Sequence, residues 1–260
     1  MINDYLQKMF SLEGKVALVT GGGRGIGQVI ARDLARAGAD IAIFSRSGAA
    51  DTVKLIEEEG GKCIDIIADV TDEASVKTGI AKIMVAYGKI DIVINNAGVC
   101  YHKDAFEATI DEWRECLDIN LTGEYIVSKE AAKIMIDQNI KGSIINIASM
   151  SGSIVNLPQC QAAYNASKAG VIHMTKSLAI EWRDKGIRVN SLSPGYIATP
   201  MSIDPDFVEP ELLAAWEPMF PLGRMGTPEE LTGAIIWLCS ESAGYTTGAD
   251  IIIDGAYTCV

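Results

Sequence analysis

The chain has 260 residues, 48% of them hydrophobic and 22% charged, with a net charge of −12 at neutral pH. That length and composition suit one large α/β domain with a sizeable core. The acidic balance gives no basic footprint for nucleic acid, and no apolar run reaches the roughly 18 residues that a membrane span requires. The opening "MINDYLQKMF" is too polar for a signal peptide, so a cytoplasmic location is expected. Cys63, Cys100, Cys116, Cys160, Cys239 and Cys259 form no C-x-x-C pair, and His102 and His173 stand apart. Neither a disulfide framework nor a metal site is expected from such spacing.

The first predicted strand, "KVALVT" over 15–20, runs into "TGGGRGIG" over 20–27. Beyond it, Ile26, Val29, Ile30, Asp33, Leu34 and Ala37 repeat with a helical period until Gly38 stops the helix. Strand, glycine turn and helix in this order aim free backbone N–H groups and the helix dipole at a phosphate, and a Cβ would hold the phosphate away. Further strands are predicted over 40–45, 62–67, 90–95, 143–148, 187–192 and 250–254. Long helical stretches cover 109–137 and 162–184. Thr109 with Glu112, and Thr227 with Glu230, have the spacing of capping boxes, and Pro228 suits a first helical position. Strands alternating with helices predict a parallel sheet covered on both faces, in one domain over 1–260. The stretch 200–223 breaks the rhythm with five prolines among acidic and aromatic residues, and reads as a substrate lid or a long loop.

"AAYNASKAG" places Tyr164 and Lys168 one helical turn apart, where an ammonium lowers a phenol's pKa and makes it a usable acid/base. "SIINIASMSG" ends its apolar run at Ser149, at the end of the sheet where open α/β folds bind ligands. With "NNAG" over 95–98, "LDINLTG" containing Asn120, and "SPGYIATP" over 193–200, these motifs resemble, in order and spacing, the short-chain dehydrogenases/reductases over nearly the whole chain. The resemblance implies a Rossmann-type, doubly wound seven-stranded parallel sheet and hydride transfer between a nicotinamide and a carbonyl/alcohol pair. It implies Tyr164 as general acid, Lys168 as the group that tunes it and holds the nicotinamide ribose, Ser149 on the substrate oxygen, and Asn120 holding a relay water. For the coenzyme it implies Gly21, Gly25, Ile26 and Gly27 at the pyrophosphate, and Arg24, Ser45 and Arg46 at the adenosine ribose. Asp69 and Val70 would meet the adenine, and Asn96, Ala97 and Gly98 would line the site, with Asn95 bracing the sheet. Pro194, Gly195, Ile197 and Thr199 would lie at the nicotinamide.

Fifteen positions separate Ser149 from Tyr164, about two more than the family commonly shows, which keeps Ser151 and Ser153 as alternative hydroxyls. At the end of the second strand Ser45 and Arg46 stand where an NAD-preferring enzyme carries an acid. Two guanidiniums, Arg24 and Arg46, suit a 2′-phosphate, so NADP(H) is expected over NAD(H). The segments 150–171 and 210–231 resemble the sugar and polyol branch, such as sorbose/xylulose reductases and arabinitol or sorbitol dehydrogenases. Ser151, Asn156, Gln159 and Gln161 offer hydroxyl contacts and Trp216 a stacking face, or else these residues are plain loop surface. The alternatives are a 3-oxoacyl-carrier-protein reductase, disfavoured by the acids Asp204, Asp206, Glu209 and Glu211, and a nucleotide-binding regulator without turnover. The apolar end "TGADIIIDGAYTCV" predicts a homotetramer, with this tail buried against a neighbour.

Overall fold

The computed structural model describes residues 3–205 and 208–260; Asp206 of the acidic lid lies outside them. Seven strands, β1 (Val16–Thr20), β2 (Asp40–Ser45), β3 (Cys63–Ile67), β4 (Ile92–Asn95), β5 (Ser143–Ile147), β6 (Arg188–Pro194) and β7 (Asp250–Ile253), form one sheet. Their order is β3-β2-β1-β4-β5-β6-β7 and every pairing is parallel. The central strands carry β-branched residues on both faces because both faces are covered. Ala17, Val19, Ile41, Ile43, Ile92 and Ile94 join a core with Ile30, Leu34, Leu231 and Ile235. The alternate residues Leu18, Phe44 and Val93 join a second core with Val76, Ile83, Val127, Met135 and Leu178.

Helices α1 (Asn3–Phe10), α2 (Gly25–Arg36), α3 (Ala50–Glu58), α4 (Glu73–Tyr87), α5 (Ile110–Leu117), α6 (Gly123–Asp137), α7 (Ala162–Glu181), α8 (Pro200–Ile203), α9 (Pro210–Trp216) and α10 (Glu229–Cys239) make the two covering layers and the stretch 200–223. All seven predicted strands are present, within two residues at their starts. The stretch 109–137 is helical throughout, but a π turn over Asp118–Thr122 divides it and carries Asn120. Thr109 and Glu112 form the full capping box, and Glu230 accepts from the Thr227 N–H at 2.8 Å. Gly38 sits at φ +105°, and a Cβ there would fall 2.9 Å from the Glu13 nitrogen, so the stop after α2 demands glycine. Helix α1 was not foreseen; Ser242 Oγ ties it down by donating to the Met9 carbonyl at 2.8 Å.

The strand order reverses between β1 and β4, which opens the crevice at their C-terminal ends where such sheets bind ligands. The described residues of the stretch 200–223 fold as α8, α9 and a short 3₁₀ turn over Glu217–Met219. Within the chain, Tyr257 of the tail packs against the loop after β6, with ring centroids 5.4 Å from Tyr196. Ile252 and Val260 remain exposed. No helix among the described residues is long and apolar enough to cross a membrane.

Candidate active site

Ser149 follows β5 in extended conformation, and its hydroxyl lies near enough to the Tyr164 phenol to pull the phenol's pKa down. The same oxygen accepts from the Ser151 N–H at 3.1 Å. Ser151 is turned elsewhere: it donates to Asn156 Oδ1 at 2.6 Å and accepts from Gln161 Nε2 at 3.2 Å. Ser153 is exposed. Of the three candidate hydroxyls, Ser149 is the one beside the phenol.

Lys168 lies one turn along α7, 4% exposed, and its ammonium donates to the Ile147 carbonyl at 2.6 Å and to Glu124 Oε1 at 3.2 Å. Its Nζ is 6.0 Å from the Tyr164 ring centroid. The expected lowering of the phenol's pKa does not dominate here. Burial pushes Tyr164 above its ordinary value, the Cys100, Cys116 and Glu124 charges add to that, and Ser149 opposes it. Asn120 is fully buried in the π turn, where Oδ1 accepts from the Val99 N–H and Nδ2 donates to the Val99 carbonyl, both at 2.8 Å. A second Nδ2 bond reaches Ser167 Oγ at 3.1 Å, which fixes the amide between the loop after β4 and α7. π turns of this kind re-aim one residue of a helix, often at a functional site.

The glycine turn is built by close approach. Asn96 Nδ2 donates to the carbonyls of Thr20 and Gly21 at 3.1 and 3.2 Å, which clamps the turn onto β4. A Cβ on Gly27 would fall 2.4 Å from both Asn96 Nδ2 and the Gly21 oxygen. Gly21 has φ +66°, a region open to glycine. No side chain caps α2, whose N-cap Arg24 is extended, so the helix's first amides are left for another acceptor. Gly23 packs against the Gly48 carbonyl, its Cβ position only 3.0 Å away, so the loop after β2 with Ser45 and Arg46 lies against the turn with Arg24. Ser45 Oγ is buried with no partner among the described residues. Arg46, Asp69, Thr71, Arg114 and Asp118 line a cleft of about 380 Å³. These features, a cradle with no room for a Cβ and a bare hydroxyl beside an arginine, fit a dinucleotide.

Three comparisons agree with that geometry. Residues 21–258 match a family model described as enoyl-(acyl carrier protein) reductase. A sorbose reductase of Candida albicans is 45% identical over 96% of this chain and 89% of its own. A probable NADP-dependent mannitol dehydrogenase of Yarrowia lipolytica is 42% identical over 99% and 92%. The crystal structure of a short-chain type dehydrogenase/reductase from Mycobacterium marinum superposes with TM-score 0.92 at 43% identity, covering 97% and 99% of the two chains. The chain belongs to the short-chain dehydrogenase/reductase family.

Within that family frame, Asp69 and Val70 follow β3. Thr71 bonds the Asp69 carboxylate and holds its pKa below the ordinary range, and Val70 packs against Gly123. Ala97 donates its N–H to Thr20 Oγ1 at 3.0 Å, and a Cβ on Gly98 would fall 3.2 Å from Asn120 Oδ1. Asn95 bonds Ser128 and Asn146 and so ties β4 to α6 and β5. Pro194 and Gly195 end β6 against β7, Ile197 is buried, and Thr199 opens α8 beside Gly25. Across the crevice from the glycine turn Trp216 is 2% exposed, and its indole N–H donates to Gln159 Oε1 at 2.9 Å. Gln159 Nε2 donates to the Tyr196 hydroxyl at 2.8 Å, and Tyr196 stacks on Trp216 with centroids 4.8 Å apart. His102 meets the edge of Trp216 at 5.9 Å, and burial lowers its pKa. Asn156, Gln159, Gln161 and Trp216 are therefore buried and mutually bonded, not loop surface. Sequence reasoning missed Tyr196 and Glu124. A charged residue on the apolar stripe Val127, Ala131 and Met135 was the available signal for Glu124.

Proposed function

We propose that the protein is an NADP(H)-dependent oxidoreductase interconverting a ketone and a secondary alcohol, with a ketose/polyol pair as substrate. The observation that carries this reading is the Tyr164 phenol reached by Ser149 at the crevice, with Lys168 buried one turn away. When bound, the nicotinamide supplies or accepts the hydride. In the reducing direction Tyr164 gives its phenolic proton to the carbonyl oxygen, and Ser149 donates a hydrogen bond to that oxygen. Lys168 supplies positive charge to the phenolate left behind, and Asn120 fixes the π turn on which the proton path depends. Arg24, Arg46 and Ser45 would hold the 2′-phosphate, as guanidiniums and a hydroxyl suit a dianion better than a carboxylate does. The Gln159, Tyr196 and Trp216 cluster presents the polar and aromatic surface that a polyhydroxylated chain needs. The curated relatives named for sorbose and mannitol support this substrate class, and the second supports NADP. The acids Asp204, Glu209 and Glu211 make the lid a poor dock for an acidic carrier protein.

The test is NAD(P)H absorbance with a panel of ketoses and polyols, run with both coenzymes. Turnover with NADPH and a ketose, well above that with NADH, is expected; equal kcat/KM for both coenzymes overturns the coenzyme assignment. The six free thiols and the acidic surface suit the cytoplasm. Exposed Ile252 and Val260 beside the β7 edge suit a homotetramer of two-fold symmetry. Light scattering should then give about four times 27.8 kDa; the monomer mass overturns the assembly.

A further inference from the structure

Glu124 lies in the first turn of α6, directly after the π turn that carries Asn120, and is 2% exposed. Its Oε1 pairs with Lys168 Nζ at 3.2 Å, while Oε2 has no hydrogen-bond partner among the described residues. Enclosing a carboxylate this fully is unfavourable unless its charge is used, because an uncharged acceptor would satisfy the ammonium without the desolvation. Lys168 already has such an acceptor, the Ile147 carbonyl at 2.6 Å. The charge of Glu124 is therefore the feature that needs a cause. The titratable groups around the pair are few. Helix α7 contributes Lys168 and Tyr164, α5 contributes Cys116, and the loop after β4 contributes Cys100; both thiols and the phenol lie within electrostatic range of Lys168 or Glu124. Strand β5 contributes only the uncharged Ile147 carbonyl.

We propose that Glu124 is a positioning residue of the acid–base machinery, holding the Lys168 ammonium and setting by its own charge how far that ammonium stabilises the Tyr164 phenolate. The inference rests on the reading of Tyr164 as the acid/base. Ionised, Glu124 offsets the ammonium and keeps the phenol protonated, which favours donation to a carbonyl. Protonated, it leaves the ammonium uncompensated and favours the phenolate, the form that alcohol oxidation requires. Burial pushes Glu124 up to about 7, against the pull of Lys168, so the two states exchange near neutral pH.

Two measurements test this. In the pH profile of kcat/KM for alcohol oxidation, Glu124→Gln should move the acid limb to lower pH by about one unit, with Glu124→Asp lying between the two. A profile superimposable on wild type, with only thermal stability changed, overturns the proposal. The second measurement is infrared difference spectroscopy of the protein without substrate or coenzyme. A protonated-carboxyl band should titrate near pH 7 in wild type, be absent from Glu124→Gln, and shift in Glu124→Asp. Absence of that band from wild type overturns the proposal even if Glu124→Gln does not fold. Because this readout needs no turnover, failure of the ketose/polyol reading leaves it standing, and the two failures are told apart.

Discussion

The two sides of the crevice are built from different material. On the coenzyme side the shape is set by backbone: Gly21, Gly23 and Gly27 bring main chains so close that a Cβ would collide, and Asn96 clamps the turn through two carbonyls. On the substrate side the shape is set by side chains bonded to side chains, in a chain running from Ser151 through Asn156 to Tyr196, Gln159 and Trp216. Backbone geometry of the first kind admits few substitutions, so it serves a ligand that does not vary. A side-chain network can be rewritten residue by residue, which suits the half that must distinguish one substrate from another.

Tyr164 belongs to both sides, and its loss is the largest effect expected. Tyr164→Phe removes the proton donor and keeps the ring that packs beside Ser149. The rate should fall by roughly 10²–10⁴-fold, while NADPH affinity measured by fluorescence titration stays near wild type. Near-normal turnover would remove the phenol from the chemistry and leave the crevice without an acid. A parallel fall in NADPH affinity would show that the tyrosine shapes the coenzyme side as well.

Gly27→Ala probes the coenzyme side alone. Its Cβ would stand 2.4 Å from the Gly21 oxygen and from Asn96 Nδ2, and the first of these is main chain that cannot rotate away. Overpacking of this kind costs about 3 kcal/mol. That cost should appear as a lower unfolding midpoint, and the displacement of the turn that relieves it should separately weaken NADPH binding by about 10²-fold, the equivalent of nearly 3 kcal/mol. Any substrate effect should follow from the coenzyme defect. Wild-type coenzyme affinity in this variant would break the contrast, because the turn would then have slack that the close contacts deny.

The same contrast decides what could be read from the sequence. The strands, Gly38 and the Thr109–Glu112 box were legible because period, glycine demand and cap spacing are local properties of a few neighbouring residues. Tyr164, Lys168 and Ser149 were legible through a motif spanning one turn and one strand end. The π turn at Asn120 was not, since "LDINLTG" has an unbroken helical pattern and the extra residue is absorbed by tertiary bonds to Val99 and Ser167. The contact of Tyr257 with Tyr196, 61 positions away, had no local signal either, since an apolar tail carries none for what it packs against within the chain. The direction of the Tyr164 pKa failed for a related reason. Spacing puts an ammonium on the same face, but the burial that outweighs it is made by tertiary packing, and the acid that engages the lysine, Glu124, lies 44 positions away.

Gln159→Leu gives the smallest effect and the finest test. Gln159 is 9% exposed and holds two aromatic residues at once, accepting from Trp216 Nε1 and donating to the Tyr196 hydroxyl. Leucine is similar in bulk, so the cost is that of the bonds lost. The Tyr196 hydroxyl keeps a neighbour in Asn156 Nδ2 at 3.5 Å, whereas the buried indole N–H is left with none of the partners seen here. One such unsatisfied donor costs about 1–3 kcal/mol, and Trp216 can lower that cost by turning out of the cluster. The indole then no longer fixes the substrate wall. KM for the polyol should rise roughly tenfold, about 1.4 kcal/mol, with kcat little changed, since the phenol and Ser149 are untouched. NADPH affinity should not move. If NADPH affinity falls along with the rise in KM, the side-chain network also supports the backbone cradle, and the two halves act as one unit.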